Sequence, residues 1–105
     1  MNRETKHTQE PKKTEAGKEI LKEIVLPSGK RAAFLKRRGI AIVNAQRKIG
    51  GDASRMSFAL ISEMVEIDGS PVLMEQLEDE IDFFDCLALT EEFSQLGKPG
   101  PMPGS

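Results

Sequence analysis

The chain has no tryptophan or tyrosine, and only one cysteine and one histidine among its 105 residues. A lone Cys86 closes no intrachain disulfide and assembles no thiolate metal site, so neither a covalent nor a zinc staple can hold the fold. His7 sits in a polar lead-in, where no Ser–His or Cys–His pair is preorganised for nucleophilic catalysis. No apolar run approaches the roughly 18 residues of a spanning helix, and the start MNRETKHTQEPKKTE lacks the apolar stretch of a signal peptide. The expectation is a small, non-enzymatic, cytoplasmic protein with no membrane segment, no cofactor and no metal.

Charge is plentiful and unevenly placed. Residues 1–39 carry 11 Lys or Arg against 5 Glu, and residues 40–105 carry 4 against 12 Asp or Glu, giving +6 and −8 and a net −2. The halves can neutralise each other on folding or offer a basic end to an acidic partner. Lys30-Arg31 and Lys36-Arg37-Arg38 raise a second class, a small nucleic-acid-binding regulator using residues 30–38. Against it, Phe34 is the sole base-stacking ring there, and a pI near 5.5 lies far from a basic footprint. The acidic series Glu75, Glu78, Asp79, Glu80, Asp82 and Asp85 lacks the spacing of a calcium loop and reads as a solvated face. Gly50-Gly51-Asp52 lacks the Lys and hydroxyl residue of a phosphate loop. Cys86, among Phe83, Phe84 and Leu87 with no basic neighbour, reads as a small core hydrophobe.

Three segments emerge. Residues 1–18 are polar and aperiodic, a disordered extension, and residues 97–105, GKPGPMPGS, are a loose Pro/Gly tail. Residues 19–96 form one small domain, expected to be mainly α with a small N-terminal β-hairpin (α+β). Ile20, Ile24, Val25 and Leu26 lead into Pro27-Ser28-Gly29-Lys30, and Ala32, Phe34 and Leu35 follow, which reads as strand, tight turn, strand. Ile40, Val43 and Ile49 mark one face of a short helix stopped by Gly50-Gly51. Asp52 caps a core helix over 53–66, the most apolar stretch, with Met56, Leu60 and Met64 beside Phe58, Ile61 and Val65. Residues 68–71 are a turn, 74–80 a brief acidic helix, and Asp82 caps a last helix over 83–96.

The order Ile24-Val25-Leu26-Pro27-Ser28-Gly29-Lys30, then Ala45-Gln46-Arg47, then Gly51-Asp52 before an apolar helix, then Ile67-Asp68-Gly69-Ser70-Pro71 and last 82–93 resembles the tail assembly chaperones of long-tailed bacteriophages and prophages. The resemblance runs from about residue 23 to 93 and rests on paired turn motifs, "LPSGK" and "IDG-x-P". It implies a protein that binds the phage tape-measure protein, keeps it soluble, and helps tail-tube protein polymerise around it in the host cytoplasm, without remaining in the mature virion. It also implies a frameshifted longer product: Leu96-Gly97-Lys98 can be encoded by the slippery run G-GGA-AAG.

Chain position and charge supply the contact residues. Lys36, Arg37 and Arg38 suit acidic segments of a partner. Phe93 and Leu96, near the end of the last helix, suit capture of apolar ones. Unbranched Met56, Met64 and Met74 would let such a surface adapt.

Overall fold

The computed structural model describes residues 12–13 and 18–97. His7, most of the 1–18 extension and tail residues 98–105, with Lys98, lie outside the described residues. In chain order the elements are β1 (Lys12–Lys13), β2 (Glu19–Val25), β3 (Arg31–Leu35), α1 (Ile40–Ile49), a 3-10 turn (Ala53–Arg55), α2 (Met56–Met64), β4 (Val65–Ile67), β5 (Ser70–Pro71), α3 (Met74–Asp79) and α4 (Phe83–Leu96).

The fold is a small mixed α/β domain, and its strands are not confined to the N-terminus. A single antiparallel sheet runs in the order β1-β2-β3-β4-β5, correcting the expected two-stranded hairpin. The β2–β3 pair is nonetheless the hairpin read from the sequence. Leu26 N–H donates to the Lys30 carbonyl at 2.7 Å, Gly29 N–H donates to the Leu26 carbonyl at 2.7 Å, and Gly29 takes φ +97°. A side chain with a Cβ is strained in that backbone region, which is why glycine stands there. Lys12 and Lys13, assigned above to a disordered extension, pair with Ile20 and Glu19.

The core helix over 53–66 is shorter than expected. Three 3-10 residues precede it, it ends at Met64, and Val65 turns to φ −105°, ψ 138° and enters β4. Phe34 pairs with Val65, Ala33 with Glu66 and Ala32 with Ile67, so β3 becomes an interior strand. Flanking strands on both edges and helices on one face account for the complete burial of Ala32 and Phe34. β4 then returns through Asp68-Gly69, both at positive φ (51° and 84°), to pair Ile67 with Ser70. A two-residue Asp-Gly loop at positive φ matches the right-handed twist of the strands it joins. Pro71, which cannot donate to a ladder, lies in β5 at the sheet border.

The main core lies between this sheet and the helices, with Phe34, Ile61, Val65, Leu77 and Leu89 at its centre. Ala45 of α1 and Ala59 of α2, both fully buried, meet in a second cluster with Met74. This overturns most of the expected inner face of α1. Ile40 and Val43 are exposed, and the buried residues are Ala41 and Ala45, one turn apart. Ile49, the third residue of that face, does pack against the second cluster. Small side chains let two helix backbones approach closely.

Asp82 caps α4 as expected, and Asp52 caps the 3-10 turn that leads into α2 rather than α2 itself. Asp52 Oδ1 accepts from Ser54 N–H at 3.0 Å, and Asp82 Oδ2 accepts from Phe84 N–H at 2.9 Å. Gly50 closes α1 in the left-handed region at φ 57°.

Candidate functional site

A groove of about 600 Å3 opens where α1, α2 and α4 come together beside β2. Its apolar lining comes from Ala41 and Ile42 of α1, Leu60 and Met64 of α2, and Phe93 and Leu96 of α4, with Leu21 of β2 at one side. Lys36, Arg37, Arg38 and Gly39, the connection from β3 to α1, form its rim. The five residues singled out in the sequence, Lys36, Arg37, Arg38, Phe93 and Leu96, therefore line one surface, although they come from two distant parts of the chain.

Their roles differ. Phe93 and Leu96 are half-buried and pack against the main core while facing the groove. Arg37 is tied inward: its guanidinium donates to the Glu63 carbonyl, and Nη2 lies 3.8 Å from Glu63 Oε1. Lys36 and Arg38 are exposed and make no ion pair among the described residues.

Glu63 anchors this wall. Lys48 Nζ is 2.5 Å from its Oε2 and Asn44 Nδ2 is 3.4 Å from its Oε1. Burial pushes the carboxyl up, but the Lys48 hydrogen bond and charge, with Asn44 and Arg37, outweigh it and hold Glu63 below its ordinary value. Lys48 also donates to Ser62 Oγ at 2.7 Å, and Ser62 donates to the Ala59 carbonyl at 2.7 Å. The α1–α2 wall is thus fixed by polar contacts on its outer side and alanine contact within.

Leu21, Ile42 and Glu63 also line the groove and have no role in the sequence reading, and Leu60 and Met64 of the expected core helix, Met64 among its adaptable methionines, join them. Leu21 and Ile42, both lining the groove, are 49% and 52% exposed, and Ile40 and Val43 of α1 are exposed as well. An apolar groove lined by exposed side chains is the kind of surface that marks an interaction site on a small domain. A second exposed apolar group, Phe83, Phe84 and Leu87, stands at the start of α4, with the two rings edge to face at 5.4 Å. The largest bare apolar residues of α4 therefore lie at its beginning, opposite to the end proposed from sequence.

Of the acidic residues of 75–85, Glu78, Asp82 and Asp85 serve the fold, and Glu75, Asp79 and Glu80 are exposed as a solvated face. Glu78 takes a bidentate contact from Arg55 at 2.7 and 2.8 Å, which holds its carboxyl below the usual range. Asp82 caps α4. Asp85, buried, accepts from Ser28 N–H at 3.0 Å and from Ser28 Oγ at 2.6 Å, clasping the β2–β3 turn to α4. Among the described residues no group of three or more His, Cys, Asp or Glu is arranged to hold a metal ion. Cys86 donates to the Leu77 carbonyl at 3.3 Å, and burial, then Asp85 and Asp82, push its thiol up. Among the described residues no helix is long and apolar enough to cross a membrane.

No family model, no curated protein and no solved structure matches this chain.

Proposed function

We propose that the chain is a non-enzymatic tail assembly chaperone of a long-tailed bacteriophage or prophage. It binds the tape-measure protein in the host cytoplasm, keeps it soluble while tail-tube protein assembles around it, and leaves before the virion is complete. The turn motifs quoted above support this reading, and one structural observation carries it. Lys36 to Arg38 and Phe93 with Leu96 converge on an apolar groove flanked by exposed Leu21 and Ile42. A long coiled or helical protein made ahead of its tube exposes apolar stripes that would otherwise self-associate. A shallow aliphatic groove with a thioether in its floor suits transient, repeated contact with such stripes.

Co-expression tests the reading. The tape-measure protein encoded beside this gene should move from the pellet to the soluble fraction when this chain is present. Ile42→Asp, at an exposed position, should remove the effect. Equal solubility with and without the chain overturns the proposal. The gene itself gives an independent check: the codons for Leu96-Gly97-Lys98 should read G-GGA-AAG, followed by an overlapping frame.

A further inference from the structure

The groove has an apolar floor and an unbalanced rim. Of its lining residues Glu63 is the one carboxylate, and that group is engaged by Lys48, Asn44 and Arg37 within the fold. Lys36 and Arg38 face solvent with no ion pair among the described residues. Among the described residues the rim therefore carries positive charge, on Lys36 and Arg38, that no carboxylate pairs with.

The floor also restricts the shape of an occupant. It is built mainly from side chains of α1, α2 and α4, with Leu21 of β2 at one side, and the helices present no ladder of backbone donors and acceptors to an extended strand. A peptide entering it must satisfy its own backbone hydrogen bonds, and a helix does so. A volume of about 600 Å3 falls within the roughly 300–1,000 Å3 typical of occupied pockets, enough for the few anchoring side chains that one helix stripe projects. Single-stranded nucleic acid fits poorly, because Phe93 is the only ring in the lining on which a base could stack.

We infer that this groove takes an amphipathic helix whose apolar stripe is bordered by Asp or Glu, the carboxylates meeting Lys36 and Arg38. The inference rests on the protein-holding function proposed above and names the chemistry of the segment held. Opposite charge at the rim sets orientation and partner choice more than raw affinity.

The test uses the full chain and three fluorescein-labelled helical peptides that share one leucine stripe and differ in flanking Glu, Gln or Lys, read by fluorescence anisotropy. The Glu peptide should bind about tenfold tighter than the Lys peptide, an advantage that shrinks in high salt. Lys36→Glu with Arg38→Glu should reverse the order, and Ile42→Asp should abolish binding of all three. Ile42→Ser takes its place should circular dichroism show the aspartate variant unfolded.

Equal affinity for all three peptides, still blocked at Ile42, overturns the acidic preference while leaving apolar capture in the groove intact. Three other outcomes overturn the inference: no peptide binding, tighter binding of a labelled single-stranded oligonucleotide, or a dimer of this chain that Ile42→Asp dissociates. Solubility of the co-expressed tape-measure protein is read separately, so that loss of this inference and loss of the chaperone function are told apart.

Discussion

The Asp85 carboxylate reaches the Ser28 backbone and hydroxyl, joining residues far apart in sequence. In the sequence Asp85 reads as one acid among six, and only the structure separates it from its neighbours by burying it. A hydrogen bond to a charged group contributes about 1.5–3 kcal/mol, and a buried donor left without its acceptor costs a similar amount. Asp85→Ala should therefore lower unfolding stability by about 2–3 kcal/mol, and Ser28→Ala by about 1.5 kcal/mol. In urea titrations Ser28→Ala should cost little more once Asp85 is already alanine, because the two share one interaction.

Glu63 offers a pH test at the same scale. Its carboxyl is held below the ordinary 4.5 when folded, so the unfolded chain binds its proton first as pH falls. The stabilisation is fully present above about pH 4.5 and is lost as pH falls through the folded value. Glu63→Gln should lower stability at pH 7 and flatten its decline below about pH 4.5, read as the urea midpoint at each pH. Unchanged slope would remove Glu63 from the acid limb.

Among elements, caps and turns were legible because each is a local event. Asp52, Asp82, Gly29 and Gly50 do what their side chains or lack of one allow, independent of distant contacts. Asp82→Ala should cost about 1 kcal/mol in thermal or urea unfolding. The passage from α2 to β4 was not legible. Seven of the ten residues from Phe58 to Ile67 are apolar, a density that a buried helix and a buried strand share, and no Gly or Pro marks the change at Met64. The nearer signal was Asp68-Gly69, a hairpin dipeptide that requires a strand before it. The face of α1 was misjudged for a related reason: large apolar residues suggested a core face, whereas close helix contact selected Ala41 and Ala45. Ala59→Leu should force the α1–α2 contact apart and cost about 1–3 kcal/mol, and exposed Ile42→Ser should stay within about 0.5 kcal/mol of the native protein.

For the molecule as a whole, position and charge located part of the groove, namely the rim and the α4 side. Met64 was legible as an adaptable contact residue, but its meeting with Leu21, Ile42 and Leu60 was out of reach, because it depends on how three helices cross over the sheet and no local pattern encodes it. The mix of helix and strand was legible, but the extent of the sheet was missed together with β4, since a two-stranded hairpin cannot stand alone and its third strand lay inside an apparent helix. Phe34, at the centre of that sheet, is the residue on which both layers close. Phe34→Ala should cost about 3–5 kcal/mol, enough to unfold much of a small domain at ambient temperature, and near-ultraviolet-silent samples can be followed by far-ultraviolet ellipticity.

The pairing of Phe34 with Val65 also sets an order of events during synthesis. The β2–β3 hairpin leaves the ribosome with one flank bare, and the strand that completes it arrives only after two helices have followed. Until then an apolar strand edge is open to any neighbouring nascent chain. Refolding should accordingly be slower than the local helices and hairpin alone would permit, with its rate governed by closure of the loop between β3 and β4.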